Sequence, residues 1–401
     1  MAVRQREGGI LQRMQKIRKL RESDKVLRDA CELINHAAQY DADTFHWVLR
    51  VVLPVMEEAK QIFDLHMIAD SFRSQRLFVR RAPWGKDDWT DVLFYHNFRF
   101  KKEHFVRLGM ALDLGPGVHI TTQQRVSFTG EEALLVLLYR MAYPARWVTQ
   151  ATTMFKCQPG HLCDLFTLTL AHVDFYFAGP LQNVFGKMPR SRLALYARQI
   201  QRLTRTGNAS CIGFIDGTFR PHARPKEGQQ LCYNGHYRGH GLKFLSVSCP
   251  DGLTPFYFGP VQGRRHDSFV LSLSDLENHL TALNNHHDAE WHIYGDSAFS
   301  LTRVIQTGFR ESSNPSNSNA LYTYCMNSGR IAVEWGFGHV INTWKYFDNH
   351  RQLRIFSSPL GSAYRVATCL TNMKICLEGC QTTSYFQCEP PTLEEYISWK
   401  A

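Results

Sequence analysis

Three acidic residues stand where carboxylates can hold metal ions. Asp216 and Asp296 each lie beside glycine at the end of a short apolar run, and such runs predict buried strands. Glu334 lies in a segment with helical spacing, where the residues that recur at intervals of three or four and share one face are Ile331, Glu334, Gly338 and Ile341. Two strand-end carboxylates and one helical carboxylate can surround a pair of divalent metal ions, an arrangement that suits phosphoryl transfer.

Each of these acidic residues also has a simpler explanation. Asp216 suits a turn before glycine, Asp296 suits the N-cap of a following helix, and Glu334 suits a surface ion pair. If the three carboxylates converge, however, they repel one another unless a cation lies between them. Carboxylates are the ligands that Mg²⁺ and Mn²⁺ prefer, so convergence would predict a divalent metal site.

Eight short motifs follow one another through the second half of the chain. They are Ile215-Asp-Gly-Thr218, Tyr233-Asn-Gly-His236, His240-Gly-Leu-Lys-Phe244, Pro250-Asp-Gly252, Phe258-Gly-Pro260, Gly263-Arg-Arg-His-Asp267, Tyr294-Gly-Asp296 and Val333-Glu-Trp-Gly-Phe-Gly338. In this order they resemble the PIF/Harbinger family of DDE transposases and the nucleases derived from them. The resemblance implies an RNase H-like fold whose acidic triad falls on Asp216, Asp296 and Glu334.

Asp267 is a fourth candidate ligand, although it equally suits the N-cap of the helix that follows it. The RNase H-like site that the resemblance implies places its second carboxylate after the later strand, which favours Asp296. Asp267 and His266 would then support the site or hold the DNA backbone. Four further side chains are candidate contacts to DNA phosphates, the alternative being ordinary surface charge: Arg264, Arg265, Lys243 and His236.

The resemblance also implies a reaction and partners. The chain would cut phosphodiesters at the ends of a DNA transposon and join the freed 3′-OH to target DNA, with Mg²⁺ or Mn²⁺ as cofactor. Asp216 and Asp296 would hold both metal ions, and Glu334 one. A separate Myb-like partner protein, assembly as a homo-oligomer and action in the nucleus are implied with it. Two alternatives stay open: a domesticated DNA-binding or scaffold protein without catalysis, and a nuclease that cuts without joining.

The composition is that of a basic globular protein. Of the 401 residues, 44% are hydrophobic and 20% charged, and the formal net charge of +10 favours a polyanionic partner such as double-stranded DNA. The 11 cysteines include no Cys-x-x-Cys pair, so zinc is weakly supported and reduced, mostly buried thiols are expected. No apolar run approaches the roughly 20 residues that cross a bilayer, and no signal peptide is visible, so a soluble intracellular protein is expected.

The first half of the chain has mainly helical patterns. Basic residues crowd positions 1–26, where apolar spacing from Ile10 predicts a basic amphipathic helix, and a helical stripe continues into residues 27–80. The aromatic residues at 94–105 are expected to pack in a core. A single helix with a basic face is expected within residues 179–206, its start limited by proline.

Residues 127–177 hold three predicted helices joined by tight turns. Thr129 and Glu132 make a capping-box pattern at the start of the first of them, and Pro144 ends it. Three such helices suit a helix-turn-helix, and they suit an ordinary helical bundle equally well.

The expected fold class is α/β: an RNase H-like mixed sheet flanked by helices, preceded by an all-helical N-terminal region with a candidate helix-turn-helix. The core should hold a hairpin at Pro250-Asp-Gly-Leu253, a helix over 268–283 and a flexible loop at Glu311–Asn319. The expected domains are a basic helical region at 1–126, a helical DNA-binding region at 127–206, a nuclease core at 207–384 and a tail at 385–401.

Overall fold

The structure is a computed structural model. It describes residues 84–150, 154–206, 209–226, 228–309, 317–349, 353–354 and 358–400. The predicted basic helix near Ile10, the helical stripe in residues 27–80 and most of the predicted loop Glu311–Asn319 lie outside these residues. The described parts of 81–119 and 128–400 form one compact unit. The expected domain borders stay predictions.

The part of the chain before residue 207 is mainly helical where it is described. Its elements are α1 (Asp91–Phe98), α2 (Lys102–Ala111), the paired strands β1 (His119–Thr121) and β2 (Ser127–Thr129), α3 (Gly130–Ala142), α4 (Trp147–Gln150), α5 (Pro159–Val173) and α6 (Arg190–Thr204). The capping box of α3 is confirmed, because Glu132 N donates to Thr129 Oγ1 at 3.1 Å and Thr129 N donates to Glu132 Oε2 at 2.9 Å. The aromatic residues Phe94, Phe98, Phe100 and Phe105 are buried, as expected.

The prediction of one helix within 179–206 is wrong in its extent. Two single 3-10 turns, Pro180–Gln182 and Phe185–Lys187, come first, and α6 begins only after Pro189. Proline has no N–H and clashes with the turn before it, so it serves as the N-cap here rather than continuing a helix. One arginine of the basic face of α6 also contacts another part of the chain, since Arg202 Nη2 donates to Phe386 O at 3.1 Å.

A mixed sheet forms the centre of the second half. Its strands are β3 (Cys211–Pro221), β4 (Tyr233–Asn234), β5 (Gly239–Ser248), β6 (Phe256–Gln262), β7 (His292–Gly295) and β8 (Ile305–Thr307). The order is β6-β5-β3-β7-β8, with β4 also pairing with β5. β5 is antiparallel to β3 and to β6, whereas β3, β7 and β8 are mutually parallel. The expected mixed α/β architecture is therefore confirmed.

Helices pack against this sheet or connect its strands in sequence. They are α7 (Gln229–Cys232), α8 (Asp267–Leu273), α9 (Leu276–His287), α10 (Asn317–Thr343), α11 (Leu360–Glu378), α12 (Gln381–Phe386) and α13 (Leu393–Ser398). The single helix expected over 268–283 is two helices, because Asp275 between them takes a left-handed conformation with φ 55°. No helix among the described residues is long and apolar enough to cross a membrane. The ten described cysteines are free, and none is exposed.

The predicted hairpin between β5 and β6 is confirmed, and it buries a carboxylate. Gly252 has φ 84°, and Cys249 N donates to Leu253 O at 2.9 Å. Asp251 is fully buried, and its Oδ2 accepts from Tyr196 O–H at 2.5 Å and from Arg192 Nη1 at 3.4 Å. Burial nevertheless raises the pKa of Asp251 to about 6. Between about pH 4 and pH 6 the folded protein therefore holds a proton on Asp251 that the unfolded chain has already released.

We expect Asp251 to make the protein less stable as pH rises from about 4 to about 6. Because its folded pKa is above the unfolded value, the folded state binds more protons in this window, and the free energy of unfolding falls by about 3 kcal/mol across it. Asp251→Asn removes this titration. Urea unfolding at pH 4, 5, 6 and 7 gives the free energy of unfolding of wild type and of Asp251→Asn. The difference between these two free energies should change with pH. A difference that does not vary with pH would contradict it.

Candidate active site

Asp216 lies on β3, and Asp296 directly follows β7, the neighbouring parallel strand. β3 and β7 pair with Phe214 opposite Tyr294, and each aspartate follows its paired aromatic residue by two positions. Residues two apart on a strand point to the same face, and neighbouring strands lie about 4.8 Å apart. The two carboxylates are therefore neighbours at the carboxyl edge of the parallel part of the sheet.

The helix that carries Glu334 is held close to the sheet by two glycines of α10. A Cβ on Gly329 would lie 2.9 Å from the Phe214 ring, and one on Gly336 would lie 2.6 Å from Ser248 Oγ. Only residues without a side chain allow this approach. The predicted helix is thus confirmed, and Glu334 lies on its outer side with 61% of its side chain exposed.

One arginine of α10 contacts two of the predicted triad residues. Arg330 Nη1 donates to Asp216 Oδ2 at 3.1 Å, and its Nη2 lies 4.0 Å from Glu334 Oε1, one helical turn further along. The other oxygen of Asp216, Oδ1, accepts from Gly217 N at 2.8 Å. The guanidinium therefore lies between Asp216 and Glu334.

Asp296 also makes a local turn of its own. Its Oδ1 accepts from Ala298 N at 2.9 Å, and Phe299 N donates to its backbone oxygen at 3.2 Å. No helix begins here, so the alternative interpretation of Asp296 as a helix N-cap is wrong. One carboxylate oxygen is used in the turn, and the carboxylate stays at the edge of the sheet near Asp216.

Asp267 lies directly beside the first strand of the site. A Cβ on Gly217 would overlap the Asp267 carboxyl group, so glycine is needed at this position for Asp267 to approach β3. Lys243 on β5 donates to Asp267 Oδ1 at 2.7 Å, and only 9% of the lysine side chain is exposed. Asp267 is the first residue of α8, and His266 is the N-cap, without a side-chain capping bond. The ammonium of Lys243 is therefore engaged inside the protein.

The electrostatics of the site centre on Asp216. Burial raises the pKa of Asp216 to about 6, and the nearby carboxylates of Asp296 and Asp267 raise it in the same direction. The Gly217 N–H and the Arg330 guanidinium act against this rise. Asp267 and Asp296, which together with Asp216 are the site carboxylates, are thus close enough to Asp216 to influence its pKa.

The other predicted DNA contacts lie mostly on the surface. Arg264, His236 and His266 are exposed, while Arg265 is half-buried. The Arg265 guanidinium lies over the Phe269 ring, 4.4 Å from its centre. Arg264, His236 and His266 are therefore accessible, and their contact with phosphates stays a prediction.

Two residues of the site were not found by sequence reasoning. Arg330 stands four residues before Glu334, and this helical spacing alone could have indicated an ion pair. Tyr237 stacks on Phe219 with ring centres 4.6 Å apart, and its pKa is raised by burial and by Asp267 and Asp216. No local pattern points to Tyr237, because only the fold brings it beside the site carboxylates.

The part of the chain that holds this site matches a known family. Residues 215–372 match the DDE superfamily endonucleases. Neither a curated protein nor a solved structure matches the chain. The match supports a DDE transposase-like family and a nuclease or transposase type of activity, which implies DNA binding. Enzymes of this kind generally use divalent metal ions.

The residues present fit such ions in type. Carboxylate oxygens suit Mg²⁺ and Mn²⁺, and Asp216, Asp296 and Glu334 supply them. In their present positions, however, no three His, Cys, Asp or Glu side chains of the described residues are close enough together to hold a metal ion. Gathering the predicted triad requires side-chain movement, and the Arg330 guanidinium lies where two of its members would meet.

Proposed function

We propose that the chain is a DDE transposase of the PIF/Harbinger type, which cuts phosphodiesters at transposon ends and joins the 3′-OH ends to target DNA. The observation that carries this proposal is the placement of Asp216 on β3 beside Asp296 at the end of the neighbouring parallel strand β7, inside the stretch that matches DDE superfamily endonucleases. The strand order β6-β5-β3-β7-β8, with antiparallel pairing on one side and parallel pairing on the other, supports an RNase H-like core.

In this proposal the chain's own residues bind the metal and position the DNA. Asp216 and Asp296 would hold Mg²⁺ or Mn²⁺, with Glu334 as the third ligand. Such ions, when bound, polarise phosphoryl oxygens and lower the pKa of water. Lys243 keeps Asp267 against Gly217, which supports β3 beside the reacting phosphate. The exposed Arg264, with His236 and His266, would contact phosphates of the DNA backbone.

The proposed partners follow from the reaction. Cutting and joining involve two element ends and a target duplex, and assembly as a homo-oligomer would hold the ends together. A Myb-like partner protein for end recognition and action in the nucleus belong to the same proposal.

A cleavage assay tests this function. A duplex that carries the terminal inverted repeats flanking the gene, labelled at either strand, is incubated with the full chain and Mg²⁺, Mn²⁺ or EDTA. We expect metal-dependent cuts at the repeat ends and a joined product with a target plasmid. Cuts without a joined product would favour a nuclease, and binding without cuts would favour a domesticated DNA-binding protein.

We also expect DNA binding to weaken steeply with salt, because Lys and Arg that bind phosphates displace condensed counterions. Arg264→Gln should lower the slope of log affinity against log salt by about one. Arg303→Gln is the matched control. Arg303 pairs with Glu290 at 3.4 Å and lies before the amino end of β8, whereas Asp296 lies after the carboxyl end of the parallel strand β7. Titrations of a labelled duplex at several salt concentrations measure the slopes. Equal slopes for wild type and Arg264→Gln would remove Arg264 from the interface.

A further inference from the structure

The ion pair between Arg330 and Asp216 is held less completely than another arginine pair of the protein. Arg365 binds Asp174 through two hydrogen bonds, from Nε at 2.8 Å and from Nη2 at 2.6 Å. Arg330 donates to Asp216 through Nη1 alone, and its Nε is buried without a hydrogen-bond partner among the described residues. A two-pronged pair is the stronger form, so the guanidinium of Arg330 is the more easily released.

The backbone around Arg330 packs closely on the sheet, whereas the side chains of Arg330 and Glu334 are partly exposed. The close approach of Gly329 and Gly336 to the sheet sets the position of α10. Arg330 has a long side chain, of which 22% is exposed, and Glu334 next to it is 61% exposed. Release of Asp216 therefore needs only side-chain rotation, with α10 in place.

The Arg330 guanidinium and a metal ion would compete for one oxygen atom, Asp216 Oδ2. Asp216 Oδ1 already accepts from Gly217 N, and Oδ2 accepts from Arg330. A metal ion that binds Asp216 Oδ2 competes with the Arg330 guanidinium for this oxygen, because two cations held at one oxygen atom repel each other. Asp267 is bound more closely by its own cation, since Lys243 donates to Asp267 Oδ1 at 2.7 Å with a side chain only 9% exposed.

We propose that Arg330 is an internal cation that binds Asp216 Oδ2 until a divalent metal ion displaces it, so that this displacement sets the metal affinity of the site. Arg330 is thus a positioning residue: it balances the charge of Asp216 beside Asp296 and Asp267 when no metal ion is bound. The inference rests on the proposed function, because it concerns the metal that this function uses.

The test measures Mn²⁺ binding to the full chain without DNA, by isothermal titration calorimetry at one pH and ionic strength. Arg330→Gln should bind Mn²⁺ about tenfold more tightly than wild type, since no charge has to be displaced from a carboxylate within hydrogen-bond distance. Arg330→Lys keeps the positive charge but not the planar guanidinium, so its Mn²⁺ affinity should lie between those of wild type and Arg330→Gln. Arg303→Gln, which removes an exposed ion pair, should bind as wild type does.

Thermal unfolding separates this effect from a merely structural one. Arg330→Gln should unfold at a lower temperature than wild type in EDTA, because the site carboxylates lose a neutralising charge. Mn²⁺ should raise its unfolding temperature by more than it raises that of wild type, since tighter binding gives more stabilisation at one metal concentration. An equal rise in both proteins would show that Arg330 only supports the fold and would overturn the proposal.

The calorimetric outcomes also distinguish this inference from the proposed function. Loss of Mn²⁺ binding in Asp216→Asn would support the metal site. If Arg330→Gln then bound Mn²⁺ more weakly than wild type or equally well, the role of Arg330 would be overturned and the metal site would remain. No Mn²⁺ binding by wild type or by Arg330→Gln would overturn both.

Discussion

We expect Asp216→Asn to lower the rate of metal-dependent cleavage by about a thousandfold or more, while the protein stays folded. The change replaces a charged ligand by a neutral one, and loss of several kcal/mol of transition-state stabilisation corresponds to this factor. The fold should tolerate it, because the amide oxygen can still accept from Gly217 N. Repulsion from Asp296 and Asp267 also disappears. DNA affinity should be equal or slightly higher, since one negative charge near the phosphates is removed.

The measurement pairs the Mg²⁺-dependent cleavage assay with a DNA-binding titration on wild type and Asp216→Asn. Asp91→Asn serves as the control, because Asp91 lies on α1 with 87% of its side chain exposed, and this variant should cleave as wild type does. Unchanged cleavage by Asp216→Asn would remove Asp216 from the active site. If Asp91→Asn lost cleavage as well, the assay would be responding to the overall charge of the protein rather than to the loss of a metal ligand.

Asp174→Ala is expected to destabilise the protein by about 3–5 kcal/mol. Asp174 and Arg365 form a two-pronged ion pair with side chains only 8% and 12% exposed, and it joins the segment after α5 to α11. Removal of one partner leaves the other charge buried without its counter-ion, which costs far more than the intact pair contributes. Urea unfolding followed by circular dichroism measures the loss.

A second two-pronged pair of the same chemistry provides the matched control. Arg107 binds both carboxylate oxygens of Glu394, but these side chains are 46% and 61% exposed. Water screens such a pair, so Glu394→Ala should cost less than about 1 kcal/mol. Similar losses in Asp174→Ala and Glu394→Ala would mean that burial does not decide the cost.

The sequence by itself determined the elements whose signals are local. The capping box of Thr129 and Glu132, the hairpin at residues 250–253 and the helix of Glu334 all rest on neighbours a few positions apart. The same signals placed Asp216 and Asp296 at the ends of apolar runs that predict strands. In the structure Asp216 lies on β3 and Asp296 directly follows β7. Errors arose where two local signals competed. Pro189 delayed the start of α6, and left-handed Asp275 divided a helical run in two.

The tertiary structure decided which of these residues meet. Parallel register between β3 and β7 makes Asp216 and Asp296 neighbours, and strand register depends on the packing of whole faces rather than on local pattern. Arg330 reaches Asp216 across 114 positions of the chain, and Lys243 reaches Asp267 across 24. Both contacts depend on glycines that admit close approach, and the effect of a missing side chain is visible only when its neighbours are in place.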